Sequence, residues 1–183
     1  MKLNTIEGTT PFPSCEKLAD LASHVPSDQA IVEVGVYKGR TLCHLAHGSR
    51  QGLGASPIYG VDTWDLPGLG GRHRVARAFA EQAVIEHGFA GLVVLVQGFS
   101  VEIARTYDGP AIGLLFIDGD HSETGVRSDF LAWQPHLADG ARVVFDDYVS
   151  GRNPGVRRAV NALSESFSGP PEIHGLMAIL EVR

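Results

Sequence analysis

The sequence predicts an α/β fold, a mostly parallel sheet covered by helices on both faces, and three observations carry that expectation. Short apolar runs alternate five times with segments whose apolar residues recur at helical spacing. The stretch from Leu114 to Tyr148 reads as strand, crossover helix and strand, with Asp118 closing the first apolar run and Asp146-Asp147 closing the second. The tail from Glu172 to Arg183 is apolar with Gly175 in its middle, the pattern of a terminal hairpin.

In chain order, residues 1–13 contain Thr9-Thr10-Pro11 and Pro13 and form an irregular lead-in that can either fray or fold over a site. Ser14 is placed to cap a helix carrying Leu18, Leu21, Ala22 and Val25 on one face, with Pro26 as its stop. Residues 1–27 are thus an N-terminal segment and covering helix of a single domain spanning 1–183. Ile31 to Val36 is the first strand, followed by Gly39 and a helix through Thr41, Leu42, Leu45 and Ala46. Ile58 to Thr63 is the second. The segment Trp64 to Arg74, WDLPGLGGRHR, is too rich in glycine for regular structure and suits a mobile lid, leading to a helix from Val75 to His87.

Leu92 to Val96 makes the third strand, before Gln97-Gly98-Phe99-Ser100 and a short helix from Val101 to Tyr107. Phe130, Trp133 and Leu137 share helical spacing and read as core. Asn153 stands where it would cap a helix over Pro154 to Phe167, with Pro170-Pro171 beyond it. There is no internal repeat and no low-complexity tract.

At 183 residues and 44% apolar composition the chain can bury a real core. A net charge of −6 argues against a protein that grips a phosphate backbone, so no nucleic-acid partner is expected. The two cysteines, Cys15 and Cys43, lack metal-ligand spacing and read as reduced thiols. No secretory signal or membrane span is visible, and the expectation is a cytoplasmic protein with no membrane partner.

Parallel strands joined by a right-handed crossover put Asp118, Asp146 and Asp147 at one edge of the sheet, the carboxyl-terminal edge where open α/β sheets bind ligands. Three carboxylates there repel unless a cation lies between them, and Mg²⁺ suits oxygen donors. The alternative is that they merely end their strands as solvated turn residues. His121, three residues past Asp118, is the candidate general base, since imidazole exchanges a proton near neutral pH; it could equally be a helix-start residue. Asp120 reads as a capping acid. Trp64 and Tyr148 could wall a pocket or serve as ordinary packing aromatics, while Arg72, His73 and Arg74 read as a solvated surface group.

The first strand runs into Glu33-Val34-Gly35-Val36-Tyr37-Lys38-Gly39, a turn that lacks the middle glycine of a dinucleotide fingerprint and carries an acid that would repel a pyrophosphate. Such an acid could instead pair, directly or through water, with a cationic amino-acid ligand. Asp62, at the end of the second strand, is an acceptor placed for ribose hydroxyls. Together they suit an adenosine-type ligand without phosphates.

On these residues, with Tyr59-Gly60-Val61-Asp62, Phe116-Ile117-Asp118-Gly119-Asp120-His121 and Val144-Phe145-Asp146-Asp147-Tyr148, the chain resembles class I S-adenosylmethionine-dependent methyltransferases over about residues 28–183. More narrowly, it resembles the small-molecule O-methyltransferases related to the macrocin and other antibiotic-sugar methyltransferases, many of which use Mg²⁺. The resemblance implies a Rossmann-like seven-stranded sheet in the order 3-2-1-4-5-7-6. It implies cofactor contacts from Glu33, Gly35, Gly39, Asp62, Gly98, Phe99, Ser100 and Asp118, metal ligation by Asp118, Asp146 and Asp147, and catalysis by His121 with Asp118. The chain lacks much of the substrate-covering structure of the larger sugar enzymes.

The expected function is methyl transfer from S-adenosylmethionine to a hydroxyl of a small molecule or sugar, with Mg²⁺ acidifying and positioning that hydroxyl. A metal-independent methyltransferase acting on nitrogen or a macromolecule, and a non-catalytic S-adenosylmethionine-binding protein, are the rival readings. A homodimer stays open.

Overall fold

The computed structural model describes residues 3–64 and 76–183. Of the glycine-rich segment expected as a lid, only Trp64 lies among them; Arg72, His73 and Arg74 fall outside. The strands are β1 (Ala30–Val34), β2 (Ile58–Asp62), β3 (Val93–Gln97), β4 (Ile112–Ile117), β5 (Leu137–Phe145), β6 (Glu172–His174) and β7 (Met177–Glu181). They form one seven-stranded sheet in the order β3-β2-β1-β4-β5-β7-β6. The first five pair in parallel, and β7 runs antiparallel between β5 and β6. The Rossmann-like order that the resemblance implied is the one observed.

Among the described residues six α-helices pack on the two faces: α1 (Phe12–Ser23), α2 (Arg40–Gln51), α3 (Ala76–Glu86), α4 (Ser100–Arg105), α5 (Glu123–Trp133) and α6 (Pro154–Ala162). Side chains alternate across a strand, so each central strand feeds two cores. Ile31 of β1 with Leu114 and Phe116 of β4 meet Leu18, Leu42 and Leu45 on the α1–α3 side. Val32 and Val34 with Leu115 and Ile117 meet Phe130, Trp133, Phe145 and Phe167 on the other side. Full burial of one such Leu or Phe contributes roughly 1.5–3 kcal/mol, so these two layers hold the central strands rigid.

Four local expectations are corrected. Ser14 is not a cap but a buried residue inside α1, whose cap position is Pro11. The first strand stops at Val34, because Gly35 turns into the left-handed region at φ +91°. Leu137 opens β5 instead of extending a helix, since Pro135 breaks the helix and leaves one 3₁₀ turn. The helix expected to reach Phe167 ends at Ala162, where Phe167 is drawn into the sheet by a bridge to Val182 and into the core at 1% exposure. The terminal hairpin forms as expected, with Gly175 at φ +59° between β6 and β7.

Strand register positions the functional edge. Val34 pairs with Ile117 and Ile117 with Phe145, so β1, β4 and β5 end flush. The ladder continues one residue further: Asp118 N–H donates to Val34 O at 2.8 Å, and Asp146 N–H to Ile117 O at 3.1 Å.

Candidate active site

A cavity of about 890 Å³ opens over these flush strand ends, running from the β1–α2 turn past Asp62 to the β3–α4 turn and the start of α5. Its floor depends on Gly35. A β-carbon there would lie 2.2 Å from the carbonyl oxygen of Asp118, so only glycine lets the β1 turn pass the β4 tip.

Glu33 sits on the Ile31 side of β1 and is fully buried, behind Thr41 of the cavity wall. Thr41 Oγ1 donates to its Oε1, whereas Oε2 is buried with no partner. Burial pushes its pKa well above the carboxylate range, with Asp118 and Asp62 adding to the rise. An orphaned carboxylate oxygen is costly, and a cationic amine reaching it would satisfy it. Gly39, at φ +86°, occupies the cap position of α2.

Asp62 organises the turn. Its Oδ2 accepts the N–H groups of Val36 at 2.9 Å and Tyr37 at 2.8 Å, and its Oδ1 accepts that of Trp64 at 2.7 Å. Oδ2 is thereby fully used, and Oδ1 keeps one lone pair for a further donor. Trp64 is a core side chain at 1% exposure, and its indole N–H donates to Tyr37 O at 3.0 Å. It braces the turn; it is no pocket wall. Phe99, 47% exposed, and Ser100 line the cavity with Gly98.

The N-terminal lead-in folds over the site. Arg40 donates from Nε to Ile6 O at 2.8 Å and from Nη1 to Thr10 O at 2.9 Å, and Lys38 pairs with Glu7. Leu3 and Ile6 are buried, while Gly8, Thr9 and Thr10 line the cavity. Nothing in the lead-in's own sequence marks Arg40 as its partner.

The acidic edge comes together around His121. Its Nε2 lies 3.1 Å from Asp118 Oδ1, and its Nδ1 lies 3.5 Å from Asp147 Oδ2. Asn153, expected as a helix cap, makes no capping bond. Its amide donates to Asp147 Oδ2 and stands 3.1 Å from His121 Nδ1. Sequence reasoning missed this role; the signal was the small residue Gly155, where a β-carbon would meet His121 O at 2.6 Å and hold α6 away. With Nδ1 accepting from Asn153, Nε2 carries the proton and donates to Asp118. That hydrogen bond and the surrounding carboxylates raise the His121 pKa above its ordinary value.

Burial and mutual repulsion raise Asp118, and they push Asp146 up to about 7. The Asp118 carboxyl raises Asp146 by repulsion, which a cation between them would relieve. Asp147 takes a left-handed φ of +57°, which turns its side chain toward Asn153. Among the described residues no group of three or more His, Cys, Asp or Glu side chains is arranged to hold a metal ion. The donor chemistry fits a hard divalent cation; Asp147 would have to release Asn153 to join it.

Asp120 supports Ser122, accepting its N–H at 2.9 Å, and it is Ser122 that caps α5. Tyr148 donates to Asn161 Oδ1 at 3.2 Å and packs with the α6 core. Both cysteines are buried and free, with burial pushing their thiols up to about 11 and 12. No helix among the described residues is long and apolar enough to cross a membrane.

A family described as a methyltransferase domain matches residues 32–148. An O-methyltransferase from Bacillus cereus, solved in complex with SAH, superposes with a TM-score of 0.75 at 15% identity, covering 100% of this chain and 85% of that one. TomG of Streptomyces achromogenes, an O-methyltransferase of tomaymycin synthesis solved with SAM, gives 0.73 at 22% identity over 95% and 81%. The TDP-rhamnose 3'-O-methyltransferase of calicheamicin biosynthesis gives 0.69 at 24% over 92% and 77%. A curated relative, the uncharacterized protein R132 of Acanthamoeba polyphaga mimivirus, is 43% identical over 53 residues, 28% of this chain and 24% of its own length.

Proposed function

Because the chain belongs to the methyltransferase-domain family, we propose that it transfers the methyl group of S-adenosylmethionine to a hydroxyl oxygen of a small molecule or sugar. The observation that carries this reading is the Asp118–His121 pair, at 3.1 Å, on the rim of a cavity that also holds the β1–α2 turn and Asp62. A base beside a cofactor-sized cleft is what alkylation of a hydroxyl requires. The O-methyltransferases TomG and that of calicheamicin biosynthesis share the fold.

The β1–α2 turn would hold the amino acid end of the cofactor, with Glu33 behind Thr41 supplying the acid on the side of its amine. Asp62 Oδ1, with its one remaining lone pair, would accept from a ribose hydroxyl, and Gly98, Phe99 and Ser100 would border the purine. When bound, the cofactor would supply the methyl group, which passes to the acceptor oxygen while the carbon–sulfur bonding pair stays on sulfur as S-adenosylhomocysteine. His121 takes the hydroxyl proton at Nδ1 once Asn153 yields that lone pair, and the Nε2–H bond to Asp118 steadies the imidazolium. Mg²⁺ held by Asp118, Asp146 and Asp147 would supply Lewis acidity to the acceptor oxygen. A chain with a net charge of −6 suits a neutral or cationic small acceptor better than a nucleic acid.

Calorimetry with S-adenosylmethionine and S-adenosylhomocysteine tests the cofactor, and transfer of a labelled methyl group across a panel of hydroxylated small molecules and sugars tests the reaction. Both ligands should bind, and Asp62→Ala should weaken them by more than tenfold, since three backbone N–H groups and the ribose lose one acceptor. Binding of NAD with no binding of either ligand would overturn the assignment.

A further inference from the structure

We propose that Asp129 reads the exocyclic amine of the cofactor's purine and so selects an adenine nucleoside over its hypoxanthine counterpart. The inference deepens the methyltransferase reading above and rests on it.

Asp129 is out of place as a mere surface acid. The buried face of α5 is Val126, Asp129, Phe130 and Trp133, so a carboxylate occupies a position that the helix otherwise gives to apolar packing. It is 8% exposed. A charge held there costs stability unless something polar meets it. The Ser100 hydroxyl beside this carboxylate favours its ionised form. Trp133 Nε1 donates to Ser100 Oγ at 2.9 Å. An indole N–H is a donor only, so the Ser100 proton stays free for an acceptor, and Asp129 is the acid beside it. Asp129 keeps acceptor capacity to spare.

That spare capacity faces the cavity. Asp129 lines the cavity together with Phe99, Ser100 and Gly119, at the end beyond Asp62. A β-carbon on Gly119 would stand 3.6 Å from Asp129 Oδ2, so the glycine keeps the space beside that oxygen clear. Phe99, 47% exposed, offers an aromatic face at the same end. Burial raises the Asp129 carboxyl to about 6, which leaves it ionised and purely an acceptor at pH 8. A nucleoside whose ribose is held at Asp62 extends its base into this end. Adenine presents an amine there, a donor to a carboxylate. Hypoxanthine presents a carbonyl oxygen, which the same carboxylate repels. A site built around a buried acceptor rejects a ligand lacking the donor, because the acceptor is then desolvated and unpaired.

The test is calorimetry at pH 8 with S-adenosylhomocysteine and S-inosylhomocysteine on the full chain, with thermal unfolding to verify each variant. Wild type should bind the adenosyl compound at least about tenfold more tightly, the least expected for one hydrogen bond to a charged group. Asp129→Asn, which can turn an amide donor toward the carbonyl, should bring the two affinities within about threefold, and Ser100→Ala should narrow the gap less. A wild-type ratio near one overturns the inference without recourse to any variant. So does an Asp129→Asn protein that loses affinity for both compounds while keeping the wild-type ratio, the signature of a structural role. If neither compound binds wild type, the methyltransferase reading fails and takes this inference with it.

Discussion

Asn153 stands with its side-chain amide 3.1 Å from Nδ1 of His121, across 32 residues of chain, and the same amide donates to Asp147. It therefore selects the His121 tautomer whose Nε2 proton faces Asp118. Asn153→Ala should lower turnover by about tenfold while leaving S-adenosylhomocysteine affinity unchanged, because it frees the ring to rotate without touching the cofactor end of the cavity. Turnover equal to wild type would remove Asn153 from the site.

His121→Ala should cost about 10²–10⁴ in turnover, the usual range for a general base, with cofactor affinity preserved. The reactive form is the neutral imidazole, so the rate should rise with pH through the His121 ionisation. Because Asp118 raises that pKa, the rise should lie above the ordinary histidine range. A pH profile unchanged in the variant would leave proton removal to solvent.

If a divalent cation serves the reaction, chelation should abolish activity, and Asp146→Ala should raise the Mg²⁺ concentration needed for half-maximal rate by more than about tenfold. Titration of the protein with Mg²⁺ by calorimetry reads the same site without turnover. Full activity in chelator and in Asp146→Ala would assign proton removal to the Asp118–His121 pair alone.

His44 predicts an acid limit to stability. It is 5% exposed between α1 and α2, its Nε2 has no partner, and burial lowers its pKa to about 4. His47 and Arg40 add to the lowering. The unfolded chain binds this proton more readily than the folded one, so the contribution is full above about pH 6.5 and is lost as pH falls toward 4. Its size is on the order of 2–3 kcal/mol. His44→Leu should flatten that part of the stability curve measured by thermal unfolding between pH 4 and 7. Parallel wild-type and variant curves would place the acid sensitivity elsewhere.

What the amino-acid sequence determined by itself was the set of local alternations: the apolar runs of β1, β2, β4 and β5, the acids at their tips, and the glycine-bearing turn after β1. Hydrophobic period and turn chemistry are written residue by residue, and a right-handed crossover leaves one edge on which Asp118 and Asp146 can meet. Ser14, Leu137 and Asn153 misled that reading because capping and helical spacing are local preferences, which packing overrides. Only the tertiary structure decided what lies across the sheet ends. It put the N-terminal lead-in over the cavity through Arg40, a contact between residues 6 and 40 that no spacing encodes. It turned Trp64 into the core, drew Asn153 to His121 through the close seat of α6, and aimed the buried Asp129 at the cavity. These are contacts between side chains far apart in sequence, set by which helix face meets which strand end, and a one-dimensional pattern carries the faces but not their meeting.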